Sequence, residues 1–393
     1  MTKNPNSLSL KILALVLSTV FILSSIGCSG RSEPRNKAVA FEGSPSSSSV
    51  KPAMIMRVSS AYIKEIPTIS GPATPLSGFT LCAVGDINTG SRPTPYVKKY
   101  GYPEKNLRDL LGTTDLTFGN LECALSLRGS PVPGKRFTFR GSPQDASALK
   151  NMGFDILSIA NNHSKDYGTI AFFDTLSSLD QAQVVRAGGG KNSQEAYKAA
   201  IITANGTKIA FLAFSGILPG GFTATSRSSG VASLRNTKAV LLAIKEAREK
   251  ADIVVVSLRW GKELSTRPST EQIKLAHQFI DAGADTILGH HPHVVQGIEI
   301  YKGKIIAYSL GNFMFSPGNA KGRQSVLLSL KMQNGKLISA RVYPVYINGI
   351  KPTLLVGKKG QAWLTEIAKR SDMFKTLFQI RGSTDYASLG PPS

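Results

Sequence analysis

The feature that most constrains the fold of this 393-residue chain is an alternation, from Phe79 onward, of short apolar segments with longer helical ones. This alternation predicts an α/β domain in which the short segments are strands and the longer segments are helices. The predicted strands are residues 79–84, 116–118, 156–159, 209–214, 253–258, 286–288 and 305–309. The predicted helices are residues 146–151, 170–180, 237–251, 270–282 and 362–371.

A hairpin is predicted late in the chain, between residues 325–332 and 337–346. Its turn is Asn334-Gly335, a dipeptide that favours the tight connection between antiparallel strands. The sequence contains neither an internal repeat nor a second linker. We therefore expect one folded domain over residues 77–382, followed by a tail at residues 383–393.

Polar residues follow the carboxyl ends of the predicted strands. In open α/β sheets, ligands bind outside these ends, where strands continue into loops. The residues are Asp86, Asn120, Glu122, Asn162, His163, His291, His293 and Asn312. Because all of them can contact a metal or a phosphate, they predict one convergent site.

The segment His290-His291-Pro292-His293 contains the strongest candidates for metal ligands. Imidazole is a common metal ligand, and the rings of His291 and His293 can face one centre from an extended segment. Pro292 stiffens that segment and so reduces the entropy lost on binding. The alternative is a solvent-exposed histidine cluster. His277 lies within a helical pattern, which favours packing or a surface position.

An amide and an imidazole, Asn162 and His163, follow the third predicted strand, with Asp166 close behind them. The amide oxygen can bind a metal, and the imidazole can transfer a proton or stabilise charge. An asparagine-rich helix cap is the alternative. Glu122, two residues after Asn120 on an extended segment, can bridge two cations, and an ordinary loop salt bridge is its alternative.

Arg259 and Trp260 stand at the end of another predicted strand. Arg259 can grip a phosphate or carboxylate through two parallel hydrogen bonds, or it can pair with Glu263. Trp260 is either a platform for substrate or part of the core. Cys82 and Cys123 are expected to be buried free thiols. A disulfide between them is the alternative in an oxidising compartment.

The amino terminus indicates the compartment. A basic start, an apolar run at residues 12–23 and the dipeptide Gly27-Cys28 describe residues 1–28 as a secretory signal peptide. The dipeptide resembles a lipobox, in which the signal is cut before a cysteine that is then acylated, although Ser25 replaces the usual aliphatic residue. We predict an extracytoplasmic lipoprotein anchored in the membrane through Cys28. A secreted protein, or one held by an uncleaved signal, is the alternative.

Residues 29–76 are rich in serine and proline and predict a disordered tether. The whole chain has 47 Lys and Arg against 25 Asp and Glu, a formal charge of +22. The first 76 residues hold eight Lys or Arg and three Glu, so +17 belongs to the remainder. This excess predicts attraction to a polyanion, and the export signal argues against nucleic acid.

Six motifs occur in a characteristic order. They are Gly85-Asp86, Asn120-Leu121-Glu122, Ala160-Asn161-Asn162-His163 with Asp166 and Gly168, Arg259-Trp260-Gly261 with Glu263, Gly289-His290-His291-Pro292-His293-Val294 and Tyr308-Ser309-Leu310-Gly311-Asn312-Phe313. With them, residues 78–346 resemble the CapA family of capsule and poly-γ-glutamate synthesis proteins. That family is similar to the calcineurin-like metallophosphoesterases. The resemblance implies a four-layer α/β/β/α sandwich with metal at the strand ends.

The resemblance also implies roles for single residues. The implied ligands of a divalent metal, manganese or zinc, are Asp86, Glu122, Asn162, His291 and His293. The implied catalytic residues are His163, Asp166 and Arg259, and the implied substrate contacts are Arg259, Trp260 and Asn312. Two departures stand out, because Asn88 and Arg259 each replace a histidine of the phosphoesterases or of the family. A guanidinium stays protonated and cannot bind a cation, so each of two metal sites would lack an imidazole. We expect one or two ions, with one favoured, or weak binding.

The favoured function is therefore a metal-dependent hydrolase of metallophosphoesterase type, in which His163 and Arg259 stabilise a developing oxyanion. The alternative is a non-catalytic envelope protein that keeps the fold and binds polyanions. The expected partners are an anionic polymer of the poly-γ-glutamate type, the membrane through the lipid anchor, and capsule-synthesis membrane proteins. The expected role is synthesis, export or anchoring of that polymer.

Overall fold

The computed structural model describes residues 78–90, 103–381 and 385–390. The predicted signal peptide (1–28) with Cys28 and the predicted tether (29–76) lie outside the described residues. Among the helices that are described, none combines the length and the apolar character needed to cross a lipid bilayer.

The helices begin where the sequence supplies a cap or an amphipathic face. They are α1 (Lys105–Gly112), α2 (Gln144–Asn151), α3 (Gly168–Gln181), α4 (Ser193–Tyr197), α5 (Thr237–Lys250), α6 (Thr270–Asp281) and α7 (Gly357–Ser371). A capping box starts α6, because Ser269 and Gln272 each accept a hydrogen bond from the other's backbone amide. The side chain of Asn236 caps α5 by accepting from the Ala239 amide.

The first sheet has ten strands. They are β1 (Phe79–Ile87), β2 (Leu116–Leu121), β5 (Ile156–Ser158), β6 (Val185–Ala187), β15 (Asn312–Met314), β16 (Gln324–Gln333), β17 (Lys336–Asn348), β18 (Lys351–Leu354), β19 (Leu377–Ile380) and β20 (Ala387–Gly390). The order is β19-β20-β17-β16-β1-β2-β5-β6, with β15 beside β1 and β18 beside β17. Because β1, β2, β5 and β6 run parallel, their carboxyl ends meet at one edge.

The second sheet has six strands in the order β13-β14-β12-β11-β9-β8. They are β8 (Ala200–Ala204), β9 (Thr207–Ser215), β11 (Ile253–Arg259), β12 (Thr286–His290), β13 (Ile298–Tyr301) and β14 (Lys304–Ala307). The four central strands are parallel. Two short pairs complete the described strands, β3 (Ala124–Leu125) with β4 (Arg140–Gly141), and β7 (Gly189–Gly190) with β10 (Gly230–Val231).

Central strands that are buried on both faces produce the layers. Successive side chains of a strand point to opposite faces of its sheet. In β9, Phe211 belongs to the core between the two sheets and stacks on Phe118 of β2, with ring centroids 6.0 Å apart. Its neighbours Leu212 and Phe214 belong to a separate core with α5 and α6. On the first sheet, α3 packs beside β6 and α7 beside β17. The expected α/β/β/α arrangement is confirmed.

The predicted strands and helices are all present, and the hairpin at Asn334-Gly335 joins β16 to β17. Both turn residues have positive φ, 49° and 70°, as this tight turn requires. Asn205-Gly206 supplies the same signal between β8 and β9, a hairpin that the sequence prediction did not include. At the carboxyl end, β20 pairs with β17 and β19, although residues 383–393 were assigned to a tail. The sheet therefore continues past residue 382.

Candidate functional site

Parallel strands of both sheets bring the predicted site residues together at their carboxyl ends. Asp86 lies opposite Asn120 in the pairing of β1 with β2. In the second sheet, Arg259 lies opposite His290 in the pairing of β11 with β12. The two edges meet where Nη1 of Arg259 lies 3.7 Å from Oδ2 of Asp86. The site is thus built between the two sheets.

A glycine permits the close approach that positions Asp86. The Asp86 amide donates to the Gly311 carbonyl at 3.0 Å. A Cβ atom at Gly85 would lie 2.0 Å from that oxygen, so a side chain there would push the two segments apart. Asn312, which follows Gly311, is thereby held opposite Asp86.

Four side chains form a cluster that we call the inner group: Asp86, Glu122 and Arg259, which are buried, and Asn162, which is half-buried. The Arg259 side chain is 1% exposed, and Nη1 and Nη2 donate to the two Glu122 oxygens at 2.9 and 2.5 Å. Nε of Arg259 donates to Oδ1 of Asn162. Burial raises the pKa of Glu122 to about 7, against the opposing charge of Arg259. Two of the predicted metal ligands, Glu122 and Asn162, therefore have a guanidinium as their partner.

Asp86 is surrounded by donors. Nδ2 of Asn120 donates to it at 2.8 Å, and Nδ1 of His290 and Nδ1 of His293 each lie 3.3 Å from one of its oxygens. Burial acts to raise the pKa of Asp86, but the contacts with His290 and His293 and the charge of Arg259 outweigh it and hold this pKa well below its usual value. Asp86 is therefore a carboxylate at neutral pH.

His163 is held by its neighbours in one orientation. Its Nδ1 lies 2.7 Å from Asp166, which also accepts hydrogen bonds from Lys135 and from the Phe139 amide. The Phe139 ring stacks on the imidazole at 4.2 Å. Burial lowers the pKa of His163 to about 4 in spite of Asp166, so the ring is neutral. Since Nδ1 donates to Asp166, Nε2 carries the lone pair, and it lies 3.5 Å from Glu122.

The loop that carries His291 and His293 has an unfavourable backbone. Both residues have positive φ, 96° and 57°, and so does Leu264 of the neighbouring loop at 59°. Such conformations cost about 1–3 kcal/mol each outside glycine and persist where the surrounding structure imposes them. The Leu264 amide donates to the Pro292 carbonyl at 2.8 Å, which joins the two loops. Nδ1 of His293 lies 2.8 Å from Oδ1 of Asn312.

Glu263, His291 and His293 form a second cluster that we call the outer group. One donor atom from each lies within 4.8 Å of the other two, and Asp86, Glu122 and His293 satisfy the same criterion. His291 is 6% exposed, and its Nδ1 has no hydrogen-bond partner among the described residues. Burial lowers the pKa of His291 to about 2, so its imidazole is neutral. Burial acts to lower the pKa of His293, but Glu122 and Asp86 outweigh it and raise this pKa to about 9, so its imidazole must lose a proton to bind a metal. Carboxylates and neutral imidazoles are ligands for zinc and manganese, and with that proton lost these residues fit a divalent ion.

The structure places the predicted substrate contacts Trp260 and Asn312 differently, Trp260 in a hydrophobic core and Asn312 beside His293. Trp260 is 3% exposed and stacks on Tyr308 in the core that the second sheet forms with α5 and α6. Its indole donates to the Tyr308 carbonyl at 3.0 Å. This placement favours the core interpretation of Trp260. Asn312 is buried and donates to the carbonyls of His293 and Gly322. Together with the contact to the His293 ring, these bonds make Asn312 a support for His293.

The remaining predictions concern residues around the site. Cys82 and Cys123 are both buried and free, as expected. His277 packs against Tyr301 and lies 2.9 Å from Glu299, so the packing interpretation is confirmed.

Two residues of the site were missed by the sequence reasoning. Lys135 donates to Asp166 and to the Asn162 carbonyl from the loop between β3 and β4, and its local sequence does not distinguish it from a surface lysine. Glu263 belongs to one of the six motifs, but it was assigned no role beyond pairing with Arg259. Its position shortly after β11 was an available signal, because the loops after parallel strands meet at one edge.

A cleft of about 530 Å³ opens beside His163 and His293. Glu263 lies on its lining, and three aromatic residues contribute to its walls, Phe137, Phe139 and Phe315. The cleft thus gives a ligand access to the imidazoles of His163 and His293, past aromatic side chains and the Glu263 carboxylate.

Comparison with known proteins identifies relatives in sequence. A family model described as bacterial capsule synthesis protein PGA_cap matches residues 80–317. The capsule biosynthesis protein CapA of Bacillus anthracis is 33% identical over 283 residues, which cover 70% of this chain and 69% of that protein. The PGA biosynthesis protein CapA of Bacillus subtilis (strain 168) is 33% identical over 273 residues, covering 68% of this chain and 72% of that protein.

Solved structures are similar at lower identity. The NAD nucleotidase of Haemophilus influenzae aligns with 75% of this chain at 12% identity and a TM-score of 0.39. The 5'-nucleotidase of Candida albicans aligns with 68% of the chain at 11% identity and a TM-score of 0.39. This chain spans 63% and 52% of the length of those two structures.

Proposed function

The chain belongs to the bacterial capsule synthesis protein family, and from this premise we propose that it acts in the synthesis, export or anchoring of an anionic envelope polymer of the poly-γ-glutamate type. We propose further that it does so as a metal-dependent hydrolase. The observation that carries this proposal is the convergence of Asp86, Glu122 and His293, with donor atoms within 4.8 Å, beside the neutral ring of His163.

The residues around His293 would hold one divalent ion, manganese or zinc. Such an ion supplies Lewis acidity to a phosphoryl or acyl centre. His293 belongs to both donor groups, and Asn312 fixes its ring through Nδ1. Hydrogen bonds of this kind set the orientation of a ligating imidazole. Asn162, a ligand by resemblance, instead accepts from Arg259 and holds the guanidinium in place.

His163 is the proposed proton carrier. Its Nδ1 is committed to Asp166, so Nε2 can accept a proton from a nucleophile and return it to a leaving group. Lys135 and the Phe139 amide fix Asp166, and Asp166 fixes the ring. Arg259, buried and permanently charged, stabilises negative charge that develops nearby. The side chains of His163, Asp166, Lys135 and Arg259 would thus act together from fixed positions.

Turnover of model phosphodiesters and esters, measured on metal-loaded protein, tests the hydrolase. His163→Gln should lower the rate by about 10²–10⁴-fold, because it removes the proton-accepting nitrogen. Metal content of the parent and the variant, measured alongside, separates a lost proton carrier from a lost ion. Equal rates for the two proteins at equal metal content would contradict the role of His163.

A non-catalytic, polyanion-binding protein is the second candidate. It is favoured by the contacts of Arg259. The guanidinium donates hydrogen bonds to Glu122 and Asn162 and so occupies oxygen atoms that a second metal would need as ligands. The charge of +17 outside the first 76 residues supports binding to an acidic polymer. Binding of poly-γ-glutamate that weakens with added salt, together with no turnover on any model substrate, would establish this candidate.

The site would work outside the cytoplasm, on a protein tethered to the membrane. The proposal rests on the signal-like residues 1–28, the serine- and proline-rich residues 29–76 and the lipobox-like Cys28. Such a tether would hold the domain near capsule-synthesis membrane proteins and the growing polymer. Mass spectrometry of the mature amino-terminal peptide tests it, and an unmodified Cys28 or cleavage elsewhere would contradict lipid anchoring.

A further inference from the structure

We infer that Glu263 is a metal ligand, that the divalent ion binds in the outer group of Glu263, His291 and His293, and that Arg259 fills the inner group as a built-in cation. The inference rests on the proposed function in one respect, since it assigns the place of the ion that function requires. It adds a ligand to those that the resemblance implies, since Glu263 belongs to one of the six motifs but has no implied role.

The inner group already contains its cation. Both oxygens of Glu122 accept from the Arg259 guanidinium, and Asn162 accepts from its Nε. The guanidinium also lies 3.7 Å from Asp86. A divalent ion between Glu122 and Asn162 would therefore have to displace a group that cannot lose its charge, or stand beside it in a buried place. The inner group therefore favours Arg259 over a divalent ion as its cation.

In two residues of the outer group, His291 and Glu263, atoms that can bind a metal lack a partner among the described residues. His291 is buried, and its Nδ1 has no hydrogen-bond partner among the described residues, a costly state for a polar atom. Glu263 is exposed, and Arg259, the partner that the sequence offered for it, binds Glu122 instead. An ion bound beside His293 would provide a partner for both His291 and Glu263.

The backbone holds this group in place. His291 and His293 have positive φ, and Leu264, next to Glu263, does as well. The hydrogen bond from the Leu264 amide to the Pro292 carbonyl fixes the Glu263 loop against the histidine loop. A structure that imposes three unfavourable conformations on two linked loops brings one carboxylate and two imidazoles to one point.

The donor set has a chemical consequence. Two histidines and one glutamate leave an open coordination position, which is the arrangement of catalytic rather than structural zinc sites. Glu263, His293 and His163 all line the cleft. An ion in the outer group would therefore face the space that a substrate can enter, with Arg259 behind it as a second positive charge.

Cobalt(II) binding to the full chain tests the inference, because the visible spectrum of cobalt reports its ligands. Glu263→Gln should weaken cobalt binding by about 10-fold or more, since loss of a supporting group alone typically costs that much. Glu263→His replaces the carboxylate with an imidazole of similar reach, and it should shift the absorption bands of the bound cobalt. Glu271→Gln and Glu271→His, at an exposed position of α6, are the matched controls and should change neither property.

The outcomes separate the two proposals. Weakened binding by Glu263→Gln with shifted bands in Glu263→His supports the outer site. An unshifted spectrum in Glu263→His overturns ligation by Glu263, whatever the affinities, and leaves the proposed hydrolase with its ion in the inner group. A parent chain that binds neither cobalt, zinc nor manganese overturns the metal-dependent function itself.

Discussion

The inner and outer groups contain similar donors but differ in what compensates them. In the inner group, two carboxylates face a buried guanidinium that forms two hydrogen bonds with Glu122. In the outer group, Glu263 forms no ion pair with a cation among the described residues, and Nδ1 of His291 has no hydrogen-bond partner among them. The two groups adjoin at His293 of the outer group, whose Nδ1 lies 3.3 Å from Oδ2 of Asp86 in the inner group.

This difference indicates how one site can combine folding and binding. A buried charge that is paired inside the protein contributes to a stable, defined structure, because its loss would leave a partner uncompensated. A buried polar atom without a hydrogen-bond partner is stabilised when a ligand binds to it. We therefore assign the inner group to the architecture of the site and the outer group to recognition.

The largest effect is expected from removing the inner cation. Arg259→Ala leaves Glu122 buried and unpaired, which should lower the free energy of unfolding by about 3–5 kcal/mol. Urea denaturation measures this. Lys302→Ala, which breaks the exposed pair with Asp281, is the control and should cost less than about 1 kcal/mol.

A double variant makes this prediction robust. Arg259→Met combined with Glu122→Gln removes both charges, so it should be more stable than Arg259→Ala. If Arg259→Ala unfolds with the free energy of the parent, the inner group is not held by its ion pair, and the contrast between the two groups fails.

Exchanging the inner cation for a ligand should change metal stoichiometry. Arg259→His supplies an imidazole where the family usually has one, so it should raise the bound metal from at most one ion per chain towards two. Arg259→Lys keeps the charge but loses the paired hydrogen bonds, and it should gain no ion while binding poly-γ-glutamate more weakly. Elemental analysis of the three proteins, with polymer binding at two salt concentrations, provides the comparison. Two ions in the parent would contradict it.

The smallest effect is expected from the support behind His293. Asn312→Leu removes the oxygen 2.8 Å from Nδ1 of His293, so it should weaken metal binding by about 10-fold. Calorimetric titration with manganese or zinc measures this change. Asn348→Leu, at an exposed position, is the control. Unchanged affinity in Asn312→Leu would mean that His293 needs no orientation from outside the outer group.

The fold could be predicted largely from the sequence because its signals are local. Apolar segments and helical periodicity identified β1, β9, β11 and the main helices, and an Asn-Gly turn identified the hairpin of β16 with β17. Strand β20 could not be predicted, because its segment Ala387–Gly390 carries little apolar pattern of its own. It is a strand through its pairing with β17 and β19.

The site divides in the same way. The sequence by itself determined which residues stand at strand ends, since strand limits depend on neighbouring residues, and it thereby identified Asp86, Glu122, His163 and Arg259. Only the tertiary structure decided which of them pair. Arg259 binds Glu122, 137 positions away, rather than Glu263 nearby, because the packed sheets bring both side chains into a buried space where a guanidinium needs two carboxylate oxygens. The proximity of side chains in the folded protein, and not their separation along the chain, therefore decides which charged groups pair at this site.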